Sequence, residues 1–425
     1  MSKFTLQAAT LQSGDVANIV VEDGYITHVG PDSSGEVIDA SKLLALPGFV
    51  DLHTHLREPG FEASETILTG SRSAALGGFT AVHAMANTFP VQDSAAVVEQ
   101  VLALGIAAGL VQVQPVGAVT VGLEGKQLAE LGAMAQSKAQ VRMFSDDGKC
   151  VSDALLMRRA LAYVKNFDGV IAQHAQEPRL TENSQMNEGA LSSELGLAGW
   201  PAVAEESIIA RDVLLAETTG SRIHICHLST AGSVDIVRWA KARGINVTAE
   251  VTPHHLLLTE DLARSYDPVY KVNPPLRSAK DVEALRAALV DGTIDIIATD
   301  HAPHPAEAKD CEWSAAAFGM LGLETAASIA QEVLIESGKS DWNRLVEVLS
   351  TKPASISGIM GQGQGLQVGA PANIVVIDPK VRRTIAGGGA SKSANQPFAG
   401  LTLPGQVIHT IFRGEFSVRD SVVTK

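Results

Sequence analysis

The stretch GFVDLHTHLREPG, residues 48–60, carries an apolar strand-like run into two histidines, an arginine and a Pro-Gly turn. Residues two apart on a strand share a face, so His53 and His55 project into one space. A lone strand histidine is ordinarily packed or hydrogen-bonded. Two imidazoles side by side at a strand end suit a divalent cation, provided other segments bring donors to the same place.

Seven further apolar runs alternate with Ala- and Leu-rich helical stretches: TAVHAM, AGLVQVQPV, QVRMFS, GVIAQH, RIHICH, INVTAEV and IDIIATD. Eight strands alternating with helices over residues 48–355 predict an α/β fold, a (β/α)8 TIM-type barrel, whose reactive residues sit at the C-terminal strand ends. The polar residues obey that rule. His53 and His55 close the first run, Asn87 follows the second, and Asp146 and Asp147 follow the fourth. His174 ends the fifth, His227 the sixth and Asp300 the eighth. Imidazole and carboxylate without thiolate suit zinc or a related first-row ion in a catalytic site. Four histidines, a terminal Asp and a shareable carboxylate exceed the needs of one tetrahedral ion, which points to two metals with a bridging carboxylate and an activated water.

The chain ends read differently. FTLQAA, ANIVVEDG and YITHVG near the start, and GAPANIVVIDP and LTLPGQVIHTIFRGEF near the end, are short strands between turn residues. Residues 1–47 and 356–425 are therefore expected to be β, flanking the barrel, with the patch AGGGAS (386–391) as a flexible loop.

Composition limits the function. With 45% hydrophobic and 19% charged residues the chain has material for a large core. A formal net charge of −14 without a basic block argues against nucleic-acid binding, so an anionic small molecule would need its own local cation. Cys150, Cys226 and Cys311 lie far apart with no CxxC pair, which fits a reducing compartment. No leader pattern or spanning apolar run is evident, so a soluble, cytoplasmic protein without membrane contact is expected.

DLHTHLREPG, FSDDG, AQHAQE, HICHLST, EVTPHHLLLT, KVNPPLR and ATDHAPH, in this order, resemble the type I dihydroorotases of the cyclic amidohydrolase superfamily, over nearly the whole chain. The resemblance implies a composite β-sandwich built from both termini. It implies one zinc on His53, His55 and Asp300, and a second on His174 and His227. An Asp of the DDG run bridges them, taken as Asp147 with Asp146 as the alternative; a carboxylated lysine, such as related hydantoinases use, is not expected of Lys149. It further implies that Arg57, Asn87 and His304 hold a substrate carboxylate, and that Asn273 with the backbone of Phe318 and Gly319 reads the ring amides. Arg57 read alone has a plainer fate, a surface ion pair with Glu58 or Glu62. The implied reaction is reversible cyclisation of N-carbamoyl-L-aspartate to L-dihydroorotate in de novo pyrimidine synthesis, with Asp300 as general base and acid. A homo-oligomer is expected, and the sequence leaves open whether it associates with aspartate carbamoyltransferase.

Two departures stand out: Ala86 replaces the usual Pro in MANT, and Pro305 replaces Thr in HAPHP. Both touch loop geometry more than chemistry. The remaining histidines are expected to be structural. By alternation His224 faces away from His227, under a helix. His83 lies below the rim, His254 and His255 support their loop, His301 points elsewhere, and His28 and His409 belong to the terminal β segments. Two rivals share features with this reading. Dihydropyrimidinase or allantoinase would lack the carboxylate clamp, and a silent scaffold for aspartate carbamoyltransferase would lack the ligands.

Overall fold

Alternating burial along short runs joins the two chain ends into one sheet. In the computed structural model, which describes residues 3–425, a nine-stranded sheet takes strands from both termini. Its join is antiparallel pairing of Leu44–Pro47 with the start of Ile374–Thr384, Pro47 opposite Ile374 and Leu44 opposite Ile377. Phe4, Leu6, Ile19, Val21, Ile26, Ile374, Val376 and Ile411 form its buried cluster. The two-layer sandwich expected for the termini is, in hydrogen-bonding terms, this single sheet. Register shifts interrupt it at Leu6/Ala9, Val376/Ile377 and Asp378/Arg382, where bulges bend strands.

All eight apolar runs contain parallel strands: β1 (Phe49–Thr54), β2 (Phe79–Ala84), β3 (Gln112–Pro115), β4 (Met143–Phe144), β5 (Val170–Gln173), β6 (Ile223–Ile225), β7 (Val247–Val251) and β8 (Ile296–Ile297). They fall into a three-stranded sheet, β1-β2-β3, and a five-stranded one, β8-β7-β6-β5-β4. A closed eight-stranded ladder, the arrangement expected from the sequence, is not formed. Among the described residues, backbone pairing across the two seams is limited to the single bridges Gly117–Phe144 and Thr54–His301. The physical reason lies in the seam strands. β4 and β8 are each two residues long, because the chain leaves extended geometry just beyond them to present Asp147 and Asp300, the latter at φ 45°.

Helices follow the strands and cover them. Ala154–Val164 starts at Asp153, whose side chain accepts from Leu156 N, and buries Leu156, Met157, Ala160, Leu161 and Val164 along one face. Ala279–Asp291 opens on a capping box between Ser278 and Asp281. Among the described residues no helix is long and apolar enough to cross a membrane.

Candidate active site

The alternation of β1 puts Asp51 and His53 on one side, and His55 follows just past the strand end; all three are buried. His53 Nε2 lies 3.4 Å from Asp147 Oδ1 and 3.5 Å from Asp300 Oδ1. His55 Nε2 lies 3.3 Å from Asp147 Oδ2 and 3.2 Å from Asp300 Oδ1. From the other side His174 Nδ1 and His227 Nε2 approach Asp147 Oδ1 at 3.1 and 3.3 Å. Asp147 is thus the hub, common to the donor sets His53-His55-Asp147 and Asp147-His174-His227, each compact enough for one ion. Asp146 is turned away, accepting from the backbone N–H groups of Val119 and Thr120 at 2.8 and 2.9 Å. Lys149 is exposed, and its backbone N–H donates to Asp146 O at 2.8 Å.

Charge and tautomer match a cation centre. Burial drives carboxylates toward neutrality, yet the imidazoles around Asp147 and Asp300 hold both carboxyls below the ordinary range. Burial likewise disfavours charge on His53, and Asp147, Glu250 and Asp300 outweigh it, raising its pKa. His53 Nδ1 binds Glu250 Oε1 at 2.7 Å, while its Nε2 is buried with no hydrogen-bond partner. An imidazole that donates through one nitrogen to a carboxylate and leaves the other unsatisfied is a ligand in waiting. The donor set therefore fits a divalent metal.

A second tier of polar groups fixes these rings. Glu250 accepts from His53, from His224 Nε2 at 2.9 Å and from His227 N at 3.2 Å. His224 therefore faces the polar interior, contrary to the alternation argument. The argument failed because β6 ends at Ile225 and His227 takes φ 33°, so alternation does not carry across the strand end. His55 Nδ1 meets Asn87 Oδ1 at 2.8 Å, and His174 Nε2 meets Gln176 Oε1 at 2.7 Å. Asp51 ties β1 to the end of β8, accepting from Thr299 N at 2.9 Å and from the Thr54 and Thr299 hydroxyls at 2.5 Å. Glu250 and Gln176 were missed in the sequence. Glu250 had a signal, a lone acid inside the apolar run INVTAEV, since a buried carboxylate requires partners.

His83 is buried and binds Asp51 O at 3.0 Å. His255 braces its loop between Thr252 Oγ1 and Pro274 O, at 2.8 and 3.1 Å. His254 Nε2 is buried without a partner. His301 turns toward Glu65, His28 pairs with Asp32 at 3.5 Å, and His409 Nδ1 accepts from Asp420 N at 3.1 Å.

Above the cluster stands Arg57, partly exposed, at φ 63°. Its Nε donates to Pro303 O at 3.2 Å, and among the described residues it forms no ion pair. Glu58 and Glu62, its plain alternatives, accept instead from Ile67 N and Gly60 N, both at 2.8 Å. Burial lowers the Arg57 pKa to about 10, which leaves it charged at neutrality. Across the mouth, His304 Nε2 donates to Phe318 O at 2.7 Å. Gly319 holds φ 147°, where a Cβ would lie 2.7 Å from His304 Nε2. Its N–H is given to Lys271 O at 3.0 Å and its carbonyl accepts from Asn395 Nδ2 at 3.1 Å, which leaves the carbonyl oxygen one further lone pair for a ligand. Asn273 Nδ2 donates to Gln176 at 3.1 Å, and its buried Oδ1 has no partner.

Parallel strands with helical crossovers, meeting in four imidazoles and two carboxylates beside a guanidinium outside any ion pair among the described residues, define the class of metal-dependent amidohydrolases. A family model described as dihydro-orotase-like matches residues 42–233. A dihydroorotase of Leifsonia xyli subsp. xyli is 64% identical, with 99% of this chain and 97% of that protein covered. One of Mycobacterium tuberculosis is 54% identical, with 96% of each covered. Among solved structures, an L-hydantoinase (dihydropyrimidinase) from Arthrobacter aurescens superposes with a TM-score of 0.89 at 25% identity, covering 100% of this chain and 98% of that one. A dihydropyrimidinase from Brevibacillus agri, at TM-score 0.83 and 22% identity, covers 99% and 96% and shares the fold. The chain belongs to the dihydroorotase family.

Proposed function

We propose that the protein is an enzyme, a dihydroorotase that interconverts N-carbamoyl-L-aspartate and L-dihydroorotate in pyrimidine biosynthesis. The observation that carries this reading is Arg57, a guanidinium without an ion pair at the rim of an imidazole-carboxylate cluster. A dihydroorotate carboxylate would complete it with paired hydrogen bonds.

We assign zinc, two ions per chain, to His53, His55 and Asp300 and to His174 and His227, with Asp147 shared; such ions polarise an amide carbonyl and acidify water. The protein's own groups do the rest. Arg57, Asn87 and His304 hold the carboxylate and so orient the ring. In the arrangement above His304 donates through Nε2, and offering an N–H to the anion through Nδ1 as well requires the imidazolium, which the bound anion itself would stabilise. Asn273 Oδ1 and the carbonyls of Phe318 and Gly319 supply acceptors for ring N–H groups. Asp300, next to His53 and His55, takes a proton from the attacking water and returns it to the departing ring nitrogen; the reverse order closes the ring. The eight strands and their two seam bridges support a (β/α)8 barrel as the frame, and we place the reaction in the cytoplasm, in a homo-oligomer able to dock with aspartate carbamoyltransferase.

The test compares two rings. Dihydrouracil has the same scissile amide but no carboxylate, so it leaves Arg57 facing nothing, and sites built for a polar group reject such analogues by roughly 10⁴-fold. The zinc-loaded protein should turn over dihydroorotate and be nearly inert to dihydrouracil. Comparable kcat/KM values would favour a dihydropyrimidinase instead.

A further inference from the structure

The segment Ser391–Asn395 belongs to the C-terminal part of the chain, yet it lies across the mouth of the site. Asn395 is buried, with 5% exposed, and all its side-chain bonds go to the loop that follows β8. Its Oδ1 accepts from His304 N at 3.2 Å, and its Nδ2 donates to Ala302 O at 2.9 Å and Gly319 O at 3.1 Å. Its own carbonyl accepts from Leu321 N at 3.1 Å. One side chain therefore clamps both arms of the loop that presents His304, Phe318 and Gly319.

The other end of the segment grips the loop after β1, which presents Arg57. The Ser391 hydroxyl donates to the Glu65 carboxylate, Lys392 N donates to Glu65 Oε1 at 3.0 Å, and the Ser393 hydroxyl donates to Ser64 O at 2.7 Å. Glu65 is buried and also faces His301 at 3.4 Å, beside Asp300. Five consecutive residues thus hold two loops whose strands share no continuous ladder: β1 and the chain beyond β8 are joined by the Thr54–His301 bridge and the Asp51–Thr299 bonds, and the loops themselves by Arg57 Nε to Pro303 O.

We propose that Ser391–Asn395 is a staple that sets the gap between Arg57 and His304, and that Asn395 is a positioning residue for recognition of the substrate carboxylate. This rests on the dihydroorotase reading above. Asn395 touches no group of the imidazole-carboxylate cluster, so its loss acts through His304 and the Phe318–Gly319 backbone. Losing these three hydrogen bonds loosens the loop enough to raise KM about tenfold or more. Asn395→Asp is the sharper change, because it keeps the acceptor for His304 N and turns a carboxylate toward the carbonyls of Ala302 and Gly319.

The experiment measures kcat, KM and zinc content for dihydroorotate hydrolysis in Asn395→Ala, Asn395→Asp, His304→Ala and the double variant Asn395→Ala/His304→Ala, with hydrogen exchange over residues 302–321. Expected are a KM raised about tenfold with kcat within about threefold, unchanged zinc, faster exchange in the loop, and a double variant no worse than His304→Ala alone. Unchanged KM overturns the proposal, as does a loss shared by kcat, KM and zinc, or full additivity with His304→Ala, any of which makes Asn395 a general structural residue. Should Asn395→Ala not fold, Asn395→Ser, with one donor and one acceptor, takes its place in the cycle. If the wild-type protein did not turn over dihydroorotate, the activity reading would fall by itself, and loop exchange in the variants would still decide the staple.

Discussion

Glu250→Gln changes no shape and removes one charge from beneath the cluster. Glu250 accepts three hydrogen bonds, from His53 Nδ1 at 2.7 Å, His224 Nε2 at 2.9 Å and His227 N at 3.2 Å. It is fully buried, and its pKa is lowered to about 2, burial being outweighed by His53 and His224. An amide can accept on one side only. If its NH2 group faces His53, that ring must carry its proton on Nε2, the atom needed for a metal. If it faces His224, His53 keeps its tautomer but donates to a neutral oxygen and becomes a weaker base. A hydrogen bond to a charged group is worth about 1.5–3 kcal/mol, which converts to roughly 10–150-fold in affinity at 1.4 kcal/mol per decade. Carboxylates behind metal-bound histidines carry about 10–100-fold in affinity, a range that overlaps it. The assay is competition for zinc against a chelating dye, with circular dichroism to confirm folding. Glu250→Gln should bind at least one zinc equivalent about tenfold or more weakly, whereas His83→Gln, a change outside the cluster, should not. A folded Glu250→Gln protein with wild-type zinc affinity would refute the tautomer argument.

Asp300→Asn should lower kcat by several orders of magnitude while zinc analysis still finds metal on the remaining ligands; substantial turnover would remove Asp300 from proton transfer. Arg57→Ala should cut kcat/KM for dihydroorotate by about 10²-fold or more, as loss of a paired charged contact implies, and improve dihydrouracil turnover little, because no contact to that ring is added. Lys309 is buried against the carbonyls of Pro268, Lys271 and Ala317, and burial lowers its pKa to about 7. Its folded pKa lies below the unfolded one, so the charging penalty is full below about pH 7 and fades as pH rises toward ~10.4. Relative to Lys309→Met, the wild-type protein should gain a few kcal/mol of stability between pH 7 and 10, and urea midpoints for both that move in parallel would contradict this.

The sequence made the frame legible because each parallel strand is an apolar run that ends in a polar side chain, a pattern set by burial of the strand and exposure of its C-terminal end. His53, His55, His174, His227 and Asp300 could be placed at one rim from that rule alone. What resisted reading depends on contacts that leave little mark in composition. The orientation of His224 depended on where β6 stops, a matter of one or two residues. The open seams depended on how soon β4 and β8 depart from extended geometry. Asn395 bonds chiefly to backbone groups, which every residue carries, so nothing in ASKSANQ distinguishes it from an ordinary loop; the neighbouring glycines suggested mobility where the chain is tied down by Glu65 and by the carbonyls of Ala302 and Gly319.

The pairing of Leu44–Pro47 with Ile374–Thr384 has a consequence for how the protein is made. A ribosome that has released the chain as far as Asp300 has already supplied every imidazole and carboxylate of the cluster. The strand just ahead of β1 is still without the partner that pairs with it at Ile374, and the loop after β8 is still without Asn395. Contacts between such distant segments form late, after the cost of closing a long loop has been met. Maturation of the pocket is thereby tied to completion of synthesis. A nascent or prematurely terminated chain holds the chemistry in its sequence but not the gap between Arg57 and His304 in which to use it.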